Sequence, residues 1–333
     1  MRIGFVYDQR DDYRALGFSE EAVAEFDMPE TINEIEAALV RLGHNVDRIG
    51  HGRNLASRLV AGDRWEMVFS IAEGISGRSR EAQVPALLEL YNQPYAMSDP
   101  LTMATTLDKA VAKRIVRESG VPTAPFWVAG NGAEARTLAV TYPAFVKPVA
   151  EGTGKGCDGR SRVEGHSEFV DEVERLTARF SQPVLVESYL PGREFTVGII
   201  GNGPASYVIA VMEIALRSDA VDNVYSFDNK ERSQTRVDYF LSSDEEALLA
   251  GARALEAYRA LGCLDAARID MKSDANGSPQ FLEANPIPGL HPSHSDLPML
   301  AGMAGMSYDR LIGTILESAS ERYAPKNRQS RLA

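Results

Sequence analysis

Two carboxylates and an amide near the C-terminal end are the side chains best suited to hold a metal ion. Arg268-Ile269-Asp270 and Phe281-Leu282-Glu283-Ala284-Asn285-Pro286 flank the turn-forming stretch Asp274-Ala275-Asn276-Gly277. If both flanks are strands, period-two alternation puts Arg268 and Asp270 on one face, and Glu283 and Asn285 together on one face of the partner. Pairing across the turn then gathers three oxygen donors beside one guanidinium. Mg²⁺ prefers hard oxygen ligands, commonly one or two carboxylates plus nucleotide phosphates. An arginine beside such ions can stabilise charge on a transferring phosphoryl group or a tetrahedral intermediate. Leu282 and Ala284 alternate as a buried opposite face requires. The competing reading is a surface hairpin with ordinary polar residues.

Two further segments carry nucleotide-type signals. Val146-Lys147-Pro148-Val149-Ala150-Glu151-Gly152-Thr153-Gly154-Lys155-Gly156 sets a lysine at a strand end before a glycine-rich loop. Such a loop brings backbone N–H groups close to phosphate oxygens, and lysine adds positive charge. It is not Gly-x-x-x-x-Gly-Lys-Ser/Thr, because residue 156 is glycine and no helix clearly follows, so a Walker NTPase is disfavoured. The strand pattern Val184-Leu185-Val186-Glu187-Ser188-Tyr189-Leu190 can line a flat adenine slot, with Glu194 placed to reach ribose hydroxyls. Taken alone, each also reads as structure: a glycine-rich turn, and strand-edge glutamates in solvent. His291 and His294 lack a third nitrogen or sulfur ligand at useful spacing, which argues against zinc. Cys157 has no paired histidine and reads as a packed thiol.

The elements that must position these residues alternate in type. Strands are expected at residues 3–7, 45–49 and 67–71, with helices from residue 29 to Gly43 and around 55–61. Thr31 and Glu34 are spaced as a capping box, and residues 8–27 form an acidic, irregular stretch. Strand–helix alternation implies a parallel, doubly wound sheet. The phosphate-binding Gly-x-Gly-x-x-Gly is absent from its first turn, which disfavours a dehydrogenase. A helix bearing Lys109, Lys113 and Arg114 leads to the turn-rich Ser119-Gly120-Val121-Pro122. Beyond it come strands at 142–147 and 184–187 around a helix near 168–179, then antiparallel strands at 194–200 and 205–214. A helix over 245–261 precedes the metal-type hairpin. The expected domains are 1–98, 99–186 and 187–333.

Length and charge narrow the function classes. A chain of 333 residues suggests two or three domains. A formal charge of −12 argues against nucleic-acid binding, since phosphate backbones need a basic face. Cys157 and Cys263 are too few and too far apart for a disulfide scaffold. No window approaches the roughly 20 apolar residues that span a bilayer. A cytoplasmic protein without membrane or nucleic-acid partners is expected.

In this order, the segments resemble the ATP-grasp superfamily, most closely its D-alanine–D-alanine ligase branch, over roughly residues 65–320. The resemblance implies an α/β ATP-grasp fold with an N-terminal doubly wound parallel-sheet domain. It also implies an ATP-dependent carboxylate–amine ligase working through an acyl phosphate, with ATP and two Mg²⁺ ions (Mn²⁺ substituting) and small amino-acid or carboxylate substrates. Carried over by motif, Lys109 and Lys147 bind ATP phosphates, with Glu151, Thr153 and Gly154 in the loop nearby. Glu187, Tyr189 and Leu190 lie at the adenine and Glu194 at the ribose. Lys230, within Tyr225-Ser226-Phe227-Asp228-Asn229-Lys230, matches the lysine of a mobile loop over the phosphates. Asp270, Glu283 and Asn285 match the Mg²⁺ ligands, and Arg268 the arginine that steadies the intermediate. Gly289, with Ser293 or Ser295, matches the loop that positions the second substrate. A homodimer joined through the N-terminal domain is implied.

Departures from that pattern fall where the first substrate sits. Tyr7-Asp8-Gln9-Arg10-Asp11-Asp12 stands in place of the glycine-rich turn that carries the amine-binding glutamate, and Glu73-Gly74 in place of His-Gly. Thr153-Gly154 replaces two serines, and Glu231 a tyrosine. These changes imply another first substrate, or another way of holding D-alanine, with Glu73, Arg78 and Arg80 as the candidate contacts. The alternatives to a D-alanine–D-alanine ligase are a sister ligase for another amino acid or small carboxylate, and an ATP-binding regulatory module without catalysis.

Overall fold

In a computed structural model that describes residues 1–217 and 237–324, three sheets carry the elements that converge on the hairpin. The loop expected to cover the phosphates, including Lys230 and Glu231, lies outside the described residues.

The first strand, β1 (Arg2–Val6), is buried along nearly its whole length. It is the middle strand of a parallel sheet in the order β2-β1-β3, with β2 at Asn45–Gly50 and β3 at Met67–Ser70. A strand covered on both faces reads as a continuous apolar run, as Ile3 to Val6 does. The acidic stretch after it holds a short helix, α1 (Arg10–Ala15), where irregular chain was expected. Tertiary contacts hold it: Arg10 donates to the carbonyls of Ala24 (2.9 Å) and Phe26 (3.2 Å), and Tyr13 Oη to Asp8 (2.6 Å). In α2 (Pro29–Arg41) the expected capping box does not form, because the helix starts at Pro29 and buries Thr31 within its first turn. Helix α3 (Gly52–Val60) follows β2, and α4 (Gln83–Leu90) follows β3 and a 3₁₀ turn at Arg80–Ala82.

Two consecutive helices, α5 (Pro100–Leu107) and α6 (Lys109–Glu118), are each started by an aspartate. Asp99 and Asp108 accept from the N–H of Thr102 and Val111. Next comes an antiparallel sheet in the order β4-β7-β5-β6, from Phe126–Ala129, Val184–Ser188, Ala144–Pro148 and Arg162–Val163. Helices α7 (Gly132–Ala135) and α8 (His166–Phe180) pack against it. The third sheet is antiparallel in the order β10-β9-β8-β11-β12, with β8 at Glu194–Ile200, β9 at Tyr207–Leu216 and β10 at Val237–Leu241. Helix α9 (Glu245–Ala260) covers it, and β11 (Ala266–Ser273) pairs with β12 (Pro279–Asn285) as the predicted hairpin. Helices α10 (Asp296–Met303) and α11 (Tyr308–Tyr323) end the described chain.

The cores cross the boundaries that chain order suggests. Ala112 and Val116 of α6 pack with Tyr258 and Phe281 against the third sheet. Leu311, Ile312 and Ile315 of α11 pack with Phe5 and Phe69 of the first. Asp265, fully buried, joins the same parts. It accepts from Arg322 (2.6 Å) and the N–H of Met97 (2.9 Å), and Arg322 also donates to the carbonyls of Tyr95 and Met97. Removing one partner of such a buried pair costs about 3–5 kcal/mol, so this knot fixes the first sheet against the third. Among the described residues no helix is long and apolar enough to cross a membrane.

Candidate active site

The hairpin sets its chemical groups opposite one another. Arg268 pairs with Asn285 and Asp270 with Glu283, all four on the side facing the cavities. Asp270 Oδ1 accepts from the Thr196 hydroxyl (2.6 Å), and its Oδ2 meets Arg268 Nη2 (3.1 Å) and Asn285 Nδ2 (3.2 Å). Arg268 Nη1 also donates to Asp296 (2.8 Å), which fixes the guanidinium between two carboxylates. Glu283 faces the ammonium of Lys109 at 3.6 Å. Two carboxylates and an amide oxygen on neighbouring strands are the hard donor set that a divalent ion shared with phosphates takes, so these residues fit Mg²⁺.

One expectation for this hairpin is corrected. The ladder jumps from Asp270–Glu283 to Met271–Phe281, leaving Leu282 as the extra residue of a bulge. Leu282 therefore shares the cavity side with Glu283 and lines the nucleotide-type cavity, while Phe281 and Ala284 are buried. Simple alternation placed Leu282 on the buried face; the bulge shifts the phase by one residue.

Between the second and third sheets lies a cavity walled by Phe145, Tyr189, Leu190, Ile214 and Leu282, with Lys147, Glu187, Glu194 and Lys272 as its polar groups. Apolar walls with a few placed polar groups suit a planar base. Glu187, only 3% exposed, lies between Lys113 (2.5 Å) and Lys147 (2.8 Å). Burial opposes its charge, but the two lysines outweigh that and hold its carboxyl below the usual range. Lys113 is completely buried and also donates to Thr123 Oγ1 and the Phe281 carbonyl, both at 2.8 Å. Burial lowers its ammonium to about 8, with Glu187 opposing the shift. Glu194 meets Lys272 at 2.6 Å at the cavity's edge.

A second cavity runs from the N-terminal unit to the loop after the hairpin. Glu73, Glu81 and Asp27 line it, as do Arg268, Gly289 and Ser295. Lys109, Glu151 and Glu283 line both cavities, so the two meet there. Thr153 faces the second cavity and Gly154 the first. Ser295, not Ser293, lines the second cavity; Ser293 is exposed. Ser295 Oγ accepts from the N–H of His291 (3.0 Å), and a Cβ on residue 289 would fall 2.7 Å from that Oγ. Glycine at 289 is what lets the loop close this tightly.

The two arginines singled out for substrate lie away from the second cavity. Arg78, with its side chain 80% exposed, pairs with Asp108 (2.7 Å). Arg80 is buried and donates to Glu25 (2.7 Å) and the Ala150 carbonyl (2.9 Å). Glu25 in turn accepts from the N–H of Gly152 (2.6 Å) and lies 3.6 Å from Lys155, pinning the glycine-rich loop to the N-terminal unit. Glu25, Asp27, Glu81, Lys113 and Asp296 went unnoticed as site residues in the sequence. The surplus of acids around residues 20–27 is a signal that could have pointed to the first two.

Residues 115–317 match the family model described as D-ala D-ala ligase C-terminus. A D-alanine–D-alanine ligase of Bordetella petrii is 34% identical over 298 residues, covering 87% of each chain. The chain belongs to the D-alanine–D-alanine ligase family. A Sinorhizobium fredii relative, the uncharacterized protein y4sG, is 34% identical over 260 residues, 77% of this chain and 75% of its own. The fold agrees as well: a Bacillus anthracis D-alanine–D-alanine ligase solved with ATP superimposes with a TM-score of 0.71 at 21% identity, covering 97% of this chain and 98% of that one. As a member of the D-alanine–D-alanine ligase family, the protein is an ATP-dependent carboxylate–amine ligase with the ATP-grasp fold.

Proposed function

We propose that the protein joins the carboxylate of one amino acid to the amine of another, taking ATP in the cavity beside Glu187 and the amino acids in the cavity beside Glu73. The observation that carries this reading is the shared wall of Lys109, Glu151 and Glu283, where a γ-phosphoryl group from one side would meet a carboxylate from the other. Asp270, Glu283 and Asn285 would hold two Mg²⁺ ions, with Mn²⁺ able to substitute. When bound, the ions supply charge neutralisation on the β- and γ-phosphates.

The chain's own residues do the rest by position. Lys147 and Lys109 orient the phosphates, and Glu194 faces the ribose end. Arg268, steadied by Asp270 and Asp296, offers its guanidinium to the oxyanion formed when the amine attacks the acyl phosphate. Gly289 and Ser295 bound the place of the second amino acid. Lys230, which the family resemblance assigns to the phosphates, lies outside the described residues. No side chain becomes a nucleophile. A cytoplasmic homodimer joined through the N-terminal unit belongs to the same reading, and light scattering tests its mass.

D-alanine in both positions is the family's parent reading. A different first substrate is favoured by one observation: Glu73, Glu81 and Asp27 all line the cavity proposed for the amino acids. The metal and phosphate roles are tested by Glu283→Ala, which should lower ADP release at least a thousandfold with any accepted pair. Full turnover in that variant would reject them.

A further inference from the structure

The strand that carries Arg268 and Asp270 brings one more charged group to the nucleotide-type cavity. In β11, Arg268, Asp270 and Lys272 alternate with the buried Ala267, Ile269 and Met271, so the three polar side chains share the cavity side. The bulge opposite them puts its extra residue into β12 and leaves this alternation intact. At roughly 3.4 Å per residue, Lys272 stands about 7 Å beyond Asp270, on the side away from Arg268. The strand therefore runs from the arginine, past the metal-type aspartate, to a lysine in the wall of the cavity.

Lys272 pairs in register with Glu194, the first residue of β8, and its Nζ donates to Glu194 Oε2 at 2.6 Å. Among the described residues it is the one side chain bonded to Glu194, and it engages only that oxygen. Burial opposes the charge on Lys272, but Glu194 outweighs it and raises the ammonium above its ordinary value. Two consequences follow for a nucleotide. A carboxylate held at one oxygen by a charge-assisted bond keeps its plane, so its other oxygen accepts from a hydroxyl at a fixed place. The ammonium also offsets the negative charge of Glu194, which would otherwise repel the phosphates of the same ligand. A simple tie between β8 and β11 would need neither the cavity side nor a free second oxygen.

Resting on the ATP reading of this cavity, we propose that Lys272 is the positioning residue through which the protein selects ribose over deoxyribose. It fixes Glu194 so that Oε1 accepts from the 2′- or 3′-hydroxyl. Glu194 touches the sugar, and Lys272 acts through it. A sugar without that hydroxyl leaves the carboxylate oxygen without its donor, and the site discriminates by that loss.

ADP, 2′-deoxyADP and 3′-deoxyADP, titrated by calorimetry in the presence of Mg²⁺, read the sugar site without an amino-acid pair. The unmodified protein should bind ADP at least tenfold more tightly than one of the two deoxy analogues. Lys272→Met should reduce that ratio at least fivefold, and Lys272→Arg, which keeps the charge, should restore most of it. Should Lys272→Met fail to fold, Lys272→Gln carries the same expectation. With an accepted amino-acid pair, the loss in Lys272→Met should fall on KM for ATP rather than on kcat, because Arg268 and the metal-type residues are untouched. No preference in the unmodified protein would overturn the proposal while leaving the ATP reading in place. So would a preference that survives in Lys272→Met alongside a lowered melting temperature, the signature of a structural tie. Absence of ADP binding altogether would reject the ATP reading itself, and this inference with it.

Discussion

On the nucleotide side of the active site, acids face cations: Glu187 lies between Lys113 and Lys147, and Glu194 meets Lys272. Across Lys109, on the substrate side, Glu73 and Glu81 face each other and Asp27 stands close by. The nucleotide side completes its charge balance with its own residues, while the substrate side leaves part of that balance open. A wall whose charges are paired internally is prearranged for a ligand common to a whole family. A wall with surplus charge distinguishes occupants by their charge.

Breaking the balanced side should have the larger effect. In Lys113→Met, Glu187 keeps one lysine of two, and removing a buried partner costs about 3–5 kcal/mol of stability. Denaturant unfolding should show that loss, and the KM for ATP should rise at least tenfold if Glu187 positions the base. An unchanged melting temperature would mean that the lysine pair does not hold Glu187 in place.

The unbalanced side should show itself in pH dependence. Burial pushes the carboxyls of Asp27 and Glu81 up to about 7, and that of Glu73 well above its ordinary value. These groups bind protons more tightly in the folded chain than in the unfolded one. Between about pH 4.5 and pH 7 the folded state therefore holds more protons, and its stability falls as pH rises, by up to about 1.4 kcal/mol per pH unit for each such group. His44 and His291, with charged forms disfavoured chiefly by burial, act in the opposite sense below their ordinary value. Unfolding of the ligand-free protein at pH 5, 6, 7 and 8 measures the sum. A decline across that range that is shallower in Glu81→Gln would tie part of it to the acidic wall, whereas identical profiles would detach it.

The smallest effect should come from Arg78→Ala. Its ion pair with Asp108 is largely exposed on the arginine side, and such pairs contribute about 0–1 kcal/mol. Turnover within twofold of the parent is expected. A tenfold loss would return Arg78 to the substrate.

The balanced side was also the more legible one in the sequence. Period-two spacing alone brought Arg268, Asp270, Glu283 and Asn285 together, because a hairpin register follows directly from its turn. It failed at Leu282, since a bulge adds one residue without any local mark. The acidic wall was mostly hidden. Glu25 and Asp27 sit in chain without period, and Glu81 lies on a single 3₁₀ turn, so nothing local says which way they point. Only Glu73 stood out, as a departure from the family pattern. Lys113 read as one more helix lysine, because its burial arises from α6 packing on β12 and from Glu187, some seventy residues later.

The acyl-phosphate route joins the two cavities, and isotope transfer tests it most directly. With an accepted amino-acid pair whose first member carries ¹⁸O in its carboxylate, one labelled oxygen should leave in each inorganic phosphate released, read by mass spectrometry or ³¹P NMR. Phosphate free of label, formed alongside the peptide product, would contradict a phosphorylated carboxylate and the joint role of the two cavities.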